Sequence, residues 1–101
     1  MKSITQIELL RQFLEEDLQE GKAGNGHVIN NQYIHFWTPL LERYGDKYIL
    51  NQTRYSIVTS RIQKRMKESI PAEKLIMIKS VPENYKGSLK DFITLSVNTK
   101  K

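Results

Sequence analysis

Asn51-Gln-Thr-Arg-Tyr-Ser-Ile-Val-Thr-Ser-Arg-Ile-Gln-Lys-Arg-Met-Lys67 is the stretch on which the fold turns. Asn51 is a good N-cap, Leu50 holds the staple position before it, and Tyr55 lies where the staple partner belongs. Tyr55, Val58, Ile62 and Met66 recur at helical spacing, which predicts a buried stripe continuing to Ser69, short of Pro71. At about 100° per residue the opposite face carries Thr53, Ser56, Ile57, Ser60, Arg61, Lys64 and Lys67, flanked by Arg54 and Arg65. Five bases and no acid fall in this segment.

Upstream, two more helices are expected. The first is capped by Ser3 or Thr5, with Gln6 or Glu8 closing a capping box. Ile4, Ile7, Leu10, Leu14 and Leu18, widened by Leu9 and Phe13, form its core stripe, and Gly21 stops it. Glu15, Glu16, Asp17 and Glu20 read as a solvated cluster. Residues 21–26 form a glycine-rich turn without the Gly-Lys-Ser/Thr ending of a phosphate loop, and His27–Ile29 is a very short strand. Asn30 or Asn31 then caps a second helix, since Tyr33, Phe36, Trp37, Leu40, Leu41 and Tyr44 keep helical spacing. Pro39 kinks or restarts that helix, and Gly45 ends it.

Beyond Pro71 the period changes to two. Residues 74–79 and 92–97 read as strands joined by a long basic loop holding Pro82, Tyr85, Lys86, Gly87 and Lys90. One core is expected to hold Trp37, Phe36, Leu14, Tyr55, Val58, Ile62 and Leu95. Residues 81–91 are expected to stand free.

A chain of 101 residues without cysteine supports one domain, has no disulfide framework or thiolate metal site, and fits a reducing cytosol. Its longest unbroken apolar run, Leu75–Ile78, is far too short to span a bilayer, and the N-terminal residues lack a signal-peptide core. Sixteen bases against eleven acids give a net charge of +5, unevenly placed. Residues 1–50 carry five bases and seven acids, net −2; residues 51–101 carry eleven bases and four acids, net +7. That asymmetry points to a polyanionic partner.

Catalysis has little support. His27 and His35 stand on different elements, no Ser, Cys or carboxylate falls into dyad or triad spacing, and His35 reads as a surface residue. Neither a cofactor nor a metal is implied. Most of the aromatic residues sit on apolar stripes, which argues for core packing over base stacking, Tyr85 excepted. The third helix carries the functional signal, because Ser, Thr, Arg and Lys on one face offer donors to base edges and phosphates. Ile57 suits a thymine methyl or a protein contact.

Three helices followed by a hairpin with a basic loop is the order of an α+β winged helix-turn-helix domain. Leu9–Glu16, Tyr33–Gly45, Leu50–Tyr55, Ile62–Met66 and the closing hairpin resemble the winged-helix modules of phage- and plasmid-type replication primase-helicases. The resemblance implies duplex DNA binding, with Thr53, Arg54, Ser56, Ile57, Ser60, Arg61 and Lys64 facing the major groove, beside Arg65 and Lys67. It also implies that Lys79, Tyr85, Lys86 and Lys90 on the wing reach flanking phosphates or the minor groove. A cytoplasmic protein acting in replication, transfer or regulation of a mobile element, with a partner in that machinery, would follow. The competing expectation is a module that binds or inhibits a partner protein.

Overall fold

The computed structural model describes residues 5–93. Helix α1 (Gln6–Glu15) is followed by five strands, β1 (Glu20–Ala23), β2 (Gly26–Ile29), β3 (Gln32–His35), β4 (Thr38–Tyr44) and β5 (Lys47–Asn51). Helix α2 (Ile57–Ser69), a 3-10 turn (Ala72–Lys74) and strand β6 (Leu75–Ile78) complete the order. The strands form one sheet in sequence order, antiparallel from β1 to β5, with β6 parallel to β5. A parallel neighbour needs a long return path, and α2 supplies it.

The fold is therefore not a winged helix. The segment expected to be a second helix is the β3–β4 hairpin. Its apolar residues imitate helical spacing because the two strands meet at a two-residue turn, Phe36-Trp37, and because β4 is bulged. Tyr33 faces Leu41 while Ile34 faces Pro39, so Leu40 is the extra residue and joins Leu41 in the helix-side core. Both faces of β4 are covered, which removes the alternation that would have marked a strand. Phe36 and Trp37 sit at φ 51° and 66° and are 46% and 63% exposed, so neither belongs to the core as expected.

Gly21 does not stop a helix; it lies in β1, and α1 ends at Glu15. Thr5 caps α1, its hydroxyl accepting the Glu8 N–H at 3.0 Å, and Leu9, Leu10 and Phe13 are its buried side chains, while Ile7 is exposed. Arg43 closes the other end. Its guanidinium donates to the carbonyls of Phe13 (2.8 Å) and Leu18 (2.7 Å) and lies 4.0 Å from the Phe13 ring centroid. Val28, Tyr33, Leu41 and Leu50 on the sheet, with Ile62, Met66 and Ile70, fill the space beneath both helices. The Tyr33 hydroxyl donates to the Gln6 carbonyl and lies so close to Gly26 that any Cβ there would meet it at 2.7 Å. A glycine is required at that crossing.

The other face of the sheet is covered by the chain after β6. Ile49 and Ile78 meet Val81 and Leu89, with Tyr85, Phe92 and Ile93 against them. Residues 81–91 are thus no free wing. Glu42, buried on β4, holds them: its carboxylate accepts the Leu89 N–H at 2.7 Å, the Ser88 hydroxyl and the Gln32 amide. Three donors thus satisfy both oxygens of this buried side chain. The second expected hairpin strand fails at Phe92 and Ile93, which lie in a helical turn; its remainder, Leu95 included, lies outside the described residues.

Helix α2 is capped five residues later than Asn51, by Ser56, whose hydroxyl accepts the Thr59 N–H. Ile62 and Met66 are buried as expected, but Val58 is 55% exposed, because the buried stripe runs through Thr59, Ile62, Gln63 and Met66. Ile62→Ala should therefore cost about 2–5 kcal/mol in chemical denaturation, whereas Val58→Ala should change stability by less than about 0.5 kcal/mol. Equal losses at both positions would place the helix in the wrong phase.

Candidate nucleic-acid interface

The solvent face of α2 is built by its burial pattern. With Thr59, Ile62, Gln63 and Met66 turned to the sheet and α1, the helical repeat leaves Ile57, Val58, Arg61, Lys64, Arg65 and Lys67 exposed. Arg61 and Arg65 border a shallow groove against Gln6 and Ile7 of α1. Lys64 and Lys67 border a second groove, beside Leu50 and Gln52 at the end of β5. Arg54 is exposed one turn before the helix. Glu68 is the first acid met along this run.

Elsewhere the arginines are occupied. Arg11 is ion-paired with Glu8, Glu15 (3.3 Å) and Glu16 (2.8 Å), and Arg43 lies 3.5 Å from Asp17. The Arg11 guanidinium holds the Glu8 carboxyl below the ordinary carboxylate value. Among the described residues no ion pair involves Arg54, Arg61, Lys64, Arg65 or Lys67. The acidic α1 surface is thereby partly neutralised from within, whereas the arginines on and just before α2 have no such partner among the described residues.

The other expected contact residues divide into four groups. Thr53 and Ser56 are used by the fold: the Thr53 hydroxyl accepts the Val81 N–H at 2.9 Å, and Ser56 is the cap of α2. Ser60 is half-buried. Lys79, Lys86 and Lys90 are exposed, but they belong to the segment on the opposite side of the sheet from α2. Tyr85 presents no free ring. It packs edge-on against Phe92 at 5.0 Å, and its hydroxyl donates to Asp91 at 2.8 Å, which keeps the phenol protonated above its ordinary range.

His35, expected at the surface, is 1% exposed on the α2 side of β3. Its Nδ1 lies 3.2 Å from the Thr59 hydroxyl, its Nε2 has no hydrogen-bond partner among the described residues, and the Phe36 ring packs edge-on against it at 4.7 Å. On the reverse face Trp37 stacks on His27 at 5.0 Å. Sequence reasoning missed this site. Its available signal was the turn punctuation, Gly24-Asn25, Asn30-Asn31 and Gly45-Asp46, whose close spacing marks a meander and puts His35 on a strand.

Among the described residues no group of three metal-ligating side chains converges, and no helix is long and apolar enough to cross a membrane. No protein-family model matches the chain, and no curated protein or solved structure matches it.

Burial sets the pKa of His35 below its ordinary value of 6.5. The unfolded chain therefore binds more protons than the folded one at mildly acidic pH, so stability should be full above about pH 6.5 and fall as pH drops toward the folded-state value. Denaturation midpoints measured across this range should decline in the parent protein and decline less in His35→Gln. Parallel curves would exclude His35 as the titrating group.

Proposed function

We propose that the protein is a non-enzymatic nucleic-acid-binding module that holds duplex DNA against the outward face of α2. The observation that carries this is the run Arg54, Arg61, Lys64, Arg65 and Lys67, exposed and without an ion-pair partner among the described residues, in a chain whose other arginines are engaged. Helical spacing puts Arg61, Lys64 and Arg65 on adjacent turns, so that they can track one phosphate backbone. The contact is predominantly to phosphate, because the hydroxyls expected to read bases, Thr53 and Ser56, are committed within the fold. Lys86 and Lys90 lie on the far side of the sheet and take no part. With the winged-helix geometry gone, a role in replication or transfer of a mobile element has no support in the fold and is not part of the proposal.

Ile57, 75% exposed beside Val58, favours a second reading in which a partner protein seats its apolar surface on the start of the same helix.

Duplex affinity measured by fluorescence titration at several salt concentrations separates these. Each phosphate contact removed should lower the slope of log K against log salt by about 0.9, so Arg61→Ala with Lys64→Ala should lower it by roughly 1.8. Lys86→Ala with Lys90→Ala should leave it unchanged. Equal losses in the two double variants, or no salt-dependent duplex binding by the parent, would remove the proposal in favour of the protein partner.

A further inference from the structure

Helices α1 and α2 pack on the same face of the sheet and touch each other, leaving a furrow between them. One hollow of it, about 340 Å³, is bordered by Ile7 on α1 and by Val58, Arg61 and Arg65 on α2. A second, about 440 Å³, shares Ile7 and Arg65 with the first and continues to Leu14, Tyr48 and Lys74. The shared residues join the two hollows.

The lining is largely apolar. Leu10, Ile62 and Ile70 are buried along it, Leu14 and Tyr48 are half-buried, and Ile7 and Val58 stay 41% and 55% exposed. A phosphate backbone gains nothing from such a lining, and the nucleic-acid reading leaves it unused. Apolar side chains gathered along a groove mark a surface that a partner covers.

The rim carries the charge. Arg61 and Arg65 stand one turn apart on α2, exposed and without an ion-pair partner among the described residues, and Lys74 is exposed beyond them. The carboxylates that border the furrow from α1, Glu8 and Glu15, are both held by Arg11. An acidic occupant thus meets two unpaired guanidiniums on one side and compensated carboxylates on the other. Charge disfavours the chain's own ends, since residues 1–4 and 94–101 carry lysines and no acid. A second copy has no free apolar helix face to offer, because α1 and α2 both bury theirs.

We propose that this furrow receives an amphipathic helix of a partner protein, apolar on one face, with carboxylates one turn apart along its flank. Helices pack by setting the side-chain ridges of one into the groove of another, and carboxylates at i and i+4 match the spacing of Arg61 and Arg65. An extended segment would find no sheet edge here to satisfy its backbone. The docking goes beyond the nucleic-acid reading. One consequence rests on that reading: Arg61 and Arg65 cannot hold a duplex and the acidic helix together, so the helix displaces DNA.

The probes are hydrocarbon-stapled helical peptides of about 16 residues, close to the length of α2. One carries leucines at spacings of three and four with glutamates along one flank; a second replaces those glutamates by lysines; a third scrambles the first. Titrated into the full chain without nucleic acid, the glutamate peptide should give saturable NMR shifts at Ile7, Leu14 and Val58, and the scrambled one should bind about fivefold or more weakly. Arg65→Glu, at an exposed position, should weaken the glutamate peptide about threefold or more and strengthen the lysine peptide. Ile7→Gln should weaken both. No saturable binding by either ordered peptide, equal binding of the scrambled one, or the same response of both charge forms to Arg65→Glu would overturn the site. Shifts at these residues on diluting the protein alone would assign the furrow to a second copy and equally overturn it. Because no DNA is present, these outcomes leave the duplex reading standing. In a separate titration the glutamate peptide should release a bound duplex, and simultaneous occupation would contradict the shared use of Arg61 and Arg65.

Discussion

The buried carboxamide of Asn51 ties together the three parts of the chain that define this molecule. Its Nδ2 donates to the Pro39 carbonyl at 3.0 Å and to the Tyr55 hydroxyl oxygen at 2.9 Å, and its Oδ1 accepts the Thr53 N–H at 2.9 Å. Tyr55 passes the link on to the Val81 carbonyl, and Gln63 returns from α2 to the carbonyls of Asn51 and Thr53. The bulged strand β4, the approach to α2 and the chain leaving β6 are thereby held in one network. Leaving a buried partner in it unsatisfied costs about 1–3 kcal/mol per group, a large share of the stability of so small a domain. The sequence places Asn51 as a helix cap; in the fold it orders the turn six residues before the helix.

Everything on α2 follows from that anchoring. Because the connection from β5 is fixed at Asn51, Thr53 and Tyr55, the helix begins at Ser56 with one rotational setting over the sheet. That setting buries Ile62 and Met66 and turns Arg61, Lys64 and Arg65 to solvent. The same start delivers the Ser56–Thr59 pair to His35. One helix thus carries a cationic side turned to solvent and an N-terminal end set against the buried His35.

Legibility in the sequence was uneven, for physical reasons. The α2 bases and the Leu75–Ile78 strand were readable because an exposed helix face and a short apolar run each leave a local imprint. The sheet was not. A bulge at Leu40 and cover on both sides of β4 gave apolar spacing that a helix would also give, and the turn that should have broken the pattern holds Phe36-Trp37 in place of Asn-Gly. His35 was unreadable as a buried group for the same reason, since its facing depends on the hairpin register. The wing failed on a tertiary contact: Glu42, forty-six and forty-seven residues away in sequence from Ser88 and Leu89, recruits a polar loop to the sheet. Local patterns carry no trace of such a partner.

The most direct measurement is a residue-resolved amide map of the full chain with and without a short DNA duplex. Perturbations concentrated on Arg54 and on the outward positions of α2, with Lys79, Lys86 and Lys90 silent, are the predicted result. A map centred on residues 79–90, or spread equally over both sides of the sheet, would contradict the placement of the binding surface on α2.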